Sequence, residues 1–130
     1  YTSQINEVED KIIRNFLPGL VTIILKKNER VSELITGGGD YVGIRIPNNK
    51  ELLTIIKKLG RPVISTSANI SDEEVITSVT EIDDHLLEYI SYVEDGGVIK
   101  AESSTIVKVE DKEIKILRAG KMAEEIKKIN

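Results

Sequence analysis

Residues 20–25, Leu-Val-Thr-Ile-Ile-Leu, constrain the fold more than any other stretch of the chain. A short run that is almost entirely aliphatic or β-branched, preceded by Pro18-Gly19 and followed by a polar turn, predicts a buried strand near the centre of a sheet. A central strand needs neighbouring strands and a layer of helices over it. The remaining residues must therefore supply both kinds of element.

The segments around this strand meet that requirement. Apolar residues recur at helical spacing in residues 7–16, 50–59, 80–91 and 121–129, and Gly60 is a natural helix end. Alternating or β-branched residues predict strands at 41–46, 63–64, 92–94, 105–109 and 114–118, the last two joined by a hairpin turn. Hairpins together with helical crossovers indicate an α/β (α+β) fold, with a sheet of mixed parallel and antiparallel direction and flanking helices.

The composition narrows the functional classes. The chain has 130 residues, no Cys and one His, which fits one domain in a reducing cytoplasm and excludes disulfides and a Cys/His zinc site. A formal net charge of −4 argues against a dedicated nucleic-acid binder. We expect no membrane partner, because there is neither a signal peptide nor an apolar run of about 18 residues. The missing initiator Met fits a fragment or a processed product.

A polar motif, Ser65-Thr66-Ser67-Ala68-Asn69, follows the strand predicted at residues 63–64. Ligands of open α/β sheets bind where strands emerge, and small hydroxyl and amide side chains suit a phosphate or a small polar molecule. The alternative is an ordinary Ser- and Thr-rich turn that caps the next helix.

Arg45 is a second candidate, in the alternating stretch at residues 41–46. It shares a strand face with Gly43, which leaves room beside it for a planar anion such as a carboxylate or phosphate. The alternative is a surface arginine in an ion pair. The Gly-rich residues 36–40 lack the Lys-Ser/Thr ending of a P-loop and predict a turn, and His85, with acidic neighbours, predicts a solvated surface residue.

Five motif groups, spread over nearly the whole chain, occur in an order typical of one enzyme family. They are Phe16-Leu17-Pro18-Gly19-Leu20-Val21-Thr22, Val42-Gly43-Ile44-Arg45-Ile46-Pro47-Asn48, Ser65-Thr66-Ser67-Ala68-Asn69-Ile70-Ser71, Asp95-Gly96-Gly97 with Ser104-Thr105-Ile106-Val107, and Ile116-Leu117-Arg118-Ala119-Gly120. Together they resemble the YrdC-like threonylcarbamoyl-AMP synthases. The resemblance implies a YrdC/RibB-like fold, with a twisted mixed sheet and a concave, positively lined cavity.

The resemblance also implies a reaction. L-threonine, bicarbonate and ATP, with Mg²⁺ as the usual companion of ATP, give L-threonylcarbamoyl-AMP and pyrophosphate. A partner complex then transfers the threonylcarbamoyl group to an adenosine of tRNA, which makes tRNA an indirect partner. The positions that match the family are Arg45, Ser65 and Ser104 for L-threonine, and Tyr41, Ser67, Asn69 and Arg118 for ATP. Preorganised arginine and hydroxyl donors would stabilise charge that moves between phosphates, with no covalent nucleophile.

The chain departs from the family pattern in ways that bear on activity. The family's amino-terminal half, with a Lys-x-Arg loop that helps to hold the substrates, has no counterpart. We therefore expect residues 1–130 to be a YrdC-like domain without that portion, and inactive or nearly so alone. Leu17, Leu20 and Ala119 depart from the motifs, and Asp72 would bring a negative charge near a nucleotide-binding loop. A non-catalytic YrdC-like RNA-binding module and a carbamoyl-transfer domain remain as alternatives.

Overall fold

The computed structural model describes residues 1–69, 75–100 and 102–129. The chain divides into two compact units, one formed by Tyr1–Gly60 with Glu102–Asn130 and the other by Arg61–Ala101. Ser71 and Asp72, which the sequence analysis singles out, lie outside the described residues. None of the helices in the described ranges has the length and apolarity that crossing a membrane requires.

The first unit is built on a four-stranded sheet with helices. Along the chain, the elements are α1 (Glu7–Phe16), β1 (Val21–Lys26), α2 (Glu33–Thr36), β2 (Tyr41–Ile44), α3 (Lys50–Leu59), α4 (Asp84–Leu87, in the second unit), β3 (Thr105–Glu110), β4 (Glu113–Arg118) and α5 (Ala123–Lys127). The strand order is β2-β1-β3-β4, with antiparallel, parallel and antiparallel pairing in turn. The mixed sheet and the interior position of β1 confirm two predictions from the sequence.

The hydrophobic core lies on one face of this sheet, which we call the core face. Val21 and Ile23 of β1 and Ile12 of α1 are fully buried there, together with Ile126 of α5. Alternate residues of β1 point to the opposite face, which we call the open face and which carries Thr22. The amphipathic pattern of residues 7–16 therefore predicted both a helix and its buried side.

Local chemistry sets the ends of several elements. The Asn49 side chain accepts a hydrogen bond from the backbone N–H of Leu52 at the start of α3, and Gly60 ends that helix with a φ of 69°. The β3–β4 hairpin turns through Asp111 and Lys112, which have φ values of 51° and 67°. Two consecutive residues at positive φ match the twist of the flanking strands, even without the favoured Asn-Gly pair.

Several sequence-based boundaries are wrong. Val63 and Ile64 are exposed, at 44% and 72%, and neither they nor residues 92–94 pair with a strand in the described residues. A strand is stable only where a neighbour takes its backbone hydrogen bonds, and β-branched residues alone cannot supply one. The helix predicted at residues 80–91 is a 3₁₀ turn (Val79–Glu81) and the short α4, capped by Asp83.

Candidate functional site

One edge of the sheet collects three of the predicted site residues. The parallel strands β1 and β3 both begin there, with Val21 beside Thr105, whereas their antiparallel neighbours β2 and β4 both end there. Ser104 immediately precedes β3, Arg45 immediately follows β2, and Arg118 is the last residue of β4. We call this edge, defined by Arg45, Ser104 and Arg118, the arginine edge.

The topology of the sheet explains why these residues lie at the same edge. In open parallel sheets, ligands bind at the carboxyl ends of the strands. In this mixed sheet, the arginine edge holds the amino ends of β1 and β3, and the reversed strands β2 and β4 bring their carboxyl ends to it. Both arginines therefore lie at the carboxyl ends of strands, and Ser104 lies at the amino end of a strand.

Ser104 is at the centre of a hydrogen-bond network at the arginine edge. Its side chain is buried, with 6% exposure of the residue. Arg118 donates from Nη2 to the Ser104 carbonyl oxygen at 3.0 Å and to Ser104 Oγ at 3.1 Å, and from Nε to the same carbonyl at 3.3 Å. The Thr22 hydroxyl lies 3.0 Å from Ser104 Oγ. Residues of two strands, Thr22 of β1 and Arg118 of β4, thus fix the Ser104 hydroxyl.

Gly120 and Met122, in the chain that follows β4, contact the backbone of Ser104 and the side chain of Thr105. A Cβ atom at Gly120 would lie 2.6 Å from the carbonyl carbon of Ser104 and 2.7 Å from its carbonyl oxygen, so only glycine permits this approach. The buried Thr105 hydroxyl accepts hydrogen bonds from the backbone N–H of Gly120 at 3.2 Å and of Met122 at 3.0 Å. Ser104 is therefore positioned by packing and by backbone contacts as well as by Arg118.

Arg45 is exposed, and it lies one residue beyond β2 rather than within a strand as the sequence pattern predicted. Its Nε donates to the Gly19 carbonyl oxygen at 3.0 Å, which fixes the guanidinium through one of its five N–H donors. Gly43 is exposed, and a Cβ there would lie 3.3 Å from side-chain atoms of both Ile24 and Thr22. The contact with Gly19 therefore orients Arg45.

Tyr41 begins β2 and lies at the end of that strand opposite Arg45. The two are four residue steps apart along extended chain, about 13 Å at the usual strand rise. The Lys108 ammonium lies 4.1 Å from the centroid of the Tyr41 ring, a cation–π geometry. Lys108 also donates to Glu110 at 2.8 Å; that hydrogen bond raises the pKa of Lys108 and lowers the pKa of Glu110. Tyr41 is thus away from the arginine edge.

Ser65, Ser67 and Asn69 belong to the second unit. Ser65 and Ser67 are exposed and Asn69 is half-buried, in a stretch that forms neither helix nor strand. A largely apolar cavity of about 420 Å³ within this unit includes Ala68 of the motif, with Ile76 and Ile99 among its other lining residues. The motif therefore borders a cavity of its own unit.

Other features of the described chain do not involve the predicted site. A polar cleft of about 510 Å³ next to the end of β1 is lined by charges of both signs, including Lys27, Glu33 and Asp40. The described residues contain no group of three or more His, Cys, Asp or Glu side chains that could hold a metal ion. His85 is exposed on α4, as predicted.

Thr22 is the member of the network that the sequence analysis did not predict as a site residue. A signal was present, because Thr22 is the one hydroxyl in an otherwise aliphatic run and alternates with the core residues Val21 and Ile23. A lone threonine in a strand is more often explained by β propensity. Only the contact of Thr22 with Ser104 distinguishes a site residue from a threonine that is present for its β propensity.

The chain is similar in sequence to several known proteins. The Sua5/YciO/YrdC family model, described as "Telomere recombination", matches residues 1–120. A protein from Methanocaldococcus jannaschii is 44% identical over 118 residues, which cover 89% of this chain and 54% of that protein. A threonylcarbamoyl-AMP synthase from Pyrococcus abyssi is 33% identical over 128 residues, which cover 97% of this chain and 38% of the synthase. The chain spans about half or less of these relatives.

Solved structures match over nearly all of the chain. The crystal structure of Pyrococcus abyssi Sua5 complexed with L-threonine gives a TM-score of 0.88 at 32% identity, covering 98% of this chain and 38% of that one. The structure of Escherichia coli YciO gives a TM-score of 0.79 at 26% identity, covering 92% of this chain and 59% of that one. Both matches confirm the predicted fold class.

Proposed function

The chain belongs to the Sua5/YciO/YrdC family, and from that premise we propose that the protein it represents synthesises L-threonylcarbamoyl-AMP from L-threonine, bicarbonate and ATP. Pyrophosphate is released, and the product serves the threonylcarbamoyladenosine modification of tRNA through a separate transfer complex. The proposal concerns the whole protein, because the chain spans only part of the length of its relatives.

The observation that carries this proposal is the placement of Arg45, Arg118 and the buried Ser104 hydroxyl at the same edge of the sheet. Such an edge offers charge-assisted donors to a carboxylate and to phosphates, the two anionic groups of the substrates. Two comparisons support the same substrate class: a relative is named threonylcarbamoyl-AMP synthase, and a matching structure is a complex with L-threonine.

We assign the substrate contacts by position in the family motifs. L-threonine is held by Arg45, Ser65 and Ser104, with Arg45 on its carboxylate, and ATP by Tyr41, Ser67, Asn69 and Arg118. The amino group of threonine and bicarbonate form a carbamate with loss of water. A carbamate oxygen then bonds to the α-phosphorus of ATP while the bond to pyrophosphate breaks. Preorganised cationic and hydroxyl donors stabilise the charge that develops on the leaving group.

Mg²⁺ belongs to this scheme as part of the substrate MgATP. The described residues provide no carboxylate cluster for a resident metal, whereas ATP phosphates are themselves good ligands for Mg²⁺. The arginines of the arginine edge and the Mg²⁺ ion then act together, because both neutralise phosphate charge.

The decisive experiment measures pyrophosphate release by the whole protein, with the Pyrococcus abyssi synthase as positive control. Release is expected only when L-threonine and bicarbonate are both present with MgATP, and residues 1–130 alone are expected to be inactive or nearly so. Release that does not depend on threonine would remove the substrate assignment. Tight, salt-sensitive tRNA binding without any adenylate product would favour the RNA-binding module instead.

Arg45→Ala is the most direct test of a single assigned contact. Loss of a charge-assisted hydrogen bond is expected to cost about 1.5–3 kcal/mol of transition-state stabilisation, which lowers kcat/KM for threonine roughly 10- to 150-fold. Arg45→Lys keeps the charge but not the planar fork, and an intermediate loss is expected. Arg14→Ala is the matched control, since Arg14 is an exposed arginine on α1 paired with Asp10. Equal losses in Arg45→Ala and Arg14→Ala would contradict the assignment.

A further inference from the structure

The Thr22 hydroxyl has no role in the proposed substrate contacts, although it lies 3.0 Å from Ser104 Oγ. On the basis of the proposed function, we propose that Thr22 is a positioning residue for L-threonine binding. Its hydroxyl donates to Ser104 Oγ, so that the Ser104 O–H is directed as a donor toward an acceptor oxygen of bound L-threonine.

The position of Thr22 is rigid. It lies in β1 between Val21 and Ile23, both 0% exposed, so the backbone on either side is held by the core. A β-branched side chain also has restricted χ1 freedom. The parallel pairing of β1 with β3, including the hydrogen bond from the Thr105 N–H to the Leu20 carbonyl oxygen at 2.9 Å, fixes the spacing between Thr22 and Ser104.

Counting protons shows what the pair of hydroxyls can offer. Each hydroxyl has one hydrogen to donate and two lone pairs. Arg118 can only donate, so its 3.1 Å contact occupies one lone pair of Ser104 Oγ. The 3.0 Å contact between the hydroxyls uses one of their two hydrogens. One hydrogen therefore remains for a ligand, on Ser104 if Thr22 donates and on Thr22 if Ser104 donates.

The charge of Arg118 decides between these two arrangements once an anion is bound. A donor on Ser104 Oγ polarises that hydroxyl and makes its hydrogen a stronger donor, as in other cooperative hydrogen-bond chains. The stronger donor pairs best with the stronger acceptor, and a carboxylate oxygen accepts more strongly than the Thr22 hydroxyl. Thr22 then fills the second lone pair of Ser104 Oγ, and Ser104 can only donate.

This arrangement makes a specific prediction about Thr22→Val, which keeps the shape and removes the hydroxyl. Binding of L-threonine to the whole protein, measured by titration calorimetry, is expected to weaken about 3- to 10-fold, the range for one neutral hydrogen bond in such a network. Thr22→Ser, which retains the hydroxyl, is expected to bind L-threonine within about twofold of the wild type. The Kd for ATP is expected to change less than about twofold in both.

A double-mutant cycle distinguishes an effect of Thr22 that acts through Ser104 from a general loss of structure at the site. Ser104→Ala should weaken L-threonine binding by about tenfold or more, and Thr22→Val should add little to it because Ser104 is the group through which Thr22 acts. Thr54→Val is the matched control, because Thr54 donates to the Lys50 carbonyl oxygen at 2.8 Å on α3, outside the arginine edge. It should leave the Kd for L-threonine unchanged.

The possible results distinguish this proposal from the proposed function. Additive effects of Thr22→Val and Ser104→Ala, equal losses for L-threonine and ATP, or equal losses in Thr22→Val and Thr22→Ser would overturn the role of Thr22 alone. A wild-type protein that binds no L-threonine would overturn the proposed function, and this inference with it. Selective, non-additive loss that serine rescues would support both.

Discussion

Helices α1 and α3 are similar in length, N-cap and apolar spacing, yet the apolar side of α1 is buried and that of α3 is exposed. Each has ten residues, an asparagine N-cap and apolar residues along one side. In α1, Ile12 is completely buried against the sheet. In α3, no residue is buried, and Leu52, Ile55 and Leu59 are 38%, 59% and 44% exposed.

The difference teaches what an amphipathic pattern can determine. Caps and apolar spacing are enough to specify that a helix forms and which side prefers to leave water. Whether that side is buried depends on a surface elsewhere in the molecule. The core face of the sheet supplies such a surface to α1, through β1 and α5. The stabilising contribution of the two helices should therefore differ, although both have an asparagine N-cap and an apolar side.

The largest expected effect is that of Ile12→Ala. Removal of a fully buried isoleucine loses apolar burial and leaves a cavity, so the free energy of unfolding should fall by about 2–5 kcal/mol. Ile55→Ala on α3 is the matched control, and its effect should stay within about 0.5 kcal/mol. Urea unfolding of both variants tests this. A cost for Ile55→Ala as large as that for Ile12→Ala would show that α3 is packed in solution.

An intermediate effect is expected at the caps. The Asn6 side chain accepts from the backbone N–H groups of Val8 and Glu9, and the Glu9 carboxylate accepts a hydrogen bond from the Asn6 backbone N–H. Asn6→Ala should cost about 0.5–2 kcal/mol in global stability. Asn49→Ala removes a similar cap from α3, but it should mainly fray that helix. Hydrogen exchange and urea unfolding together would reveal the difference, and equal global costs would refute it.

The smallest effect is expected on the outer side of α1. Arg14 donates to Asp10 at 2.6 Å, and this hydrogen bond raises the pKa of Arg14, but both side chains are largely exposed. Arg14→Ala should reduce stability less than Asn6→Ala, and high salt should remove the difference from wild type because it screens the pair. Thermal unfolding at two salt concentrations measures this. A salt-independent loss would mean that Arg14 contributes by packing.

The fold was predictable where local signals and burial agree. Residues 7–16 and the aliphatic run of β1 carry both a clear period and a strong apolar content, and both elements form as predicted. Val63 and Ile64 have strand propensity but no described partner strand, and they are exposed. Pairing between strands is a long-range property, so propensity in two residues could not establish it.

The candidate site was predictable in part. Arg45 was identified from the alternating pattern of residues 41–46, Ser104 and Arg118 were identified by resemblance, and sheet topology brings the three to one edge. Their roles in binding L-threonine or ATP remain predictions. The Thr22 contact could not be inferred, because residues 22 and 104 are far apart in sequence and meet only through the parallel pairing of β1 and β3.

The sequence by itself determined the local elements, since helix caps, glycine stops and aliphatic periodicity act over a few residues and need no distant partner. It also determined the family, through motifs that lie along most of the chain. Tertiary structure alone decided whether an apolar face finds a surface to be buried against, which edge of the sheet gathers the arginines and which hydroxyl supports Ser104. The physical reason is that burial and hydrogen bonding are properties of pairs of surfaces, and the second surface comes from a remote part of the chain.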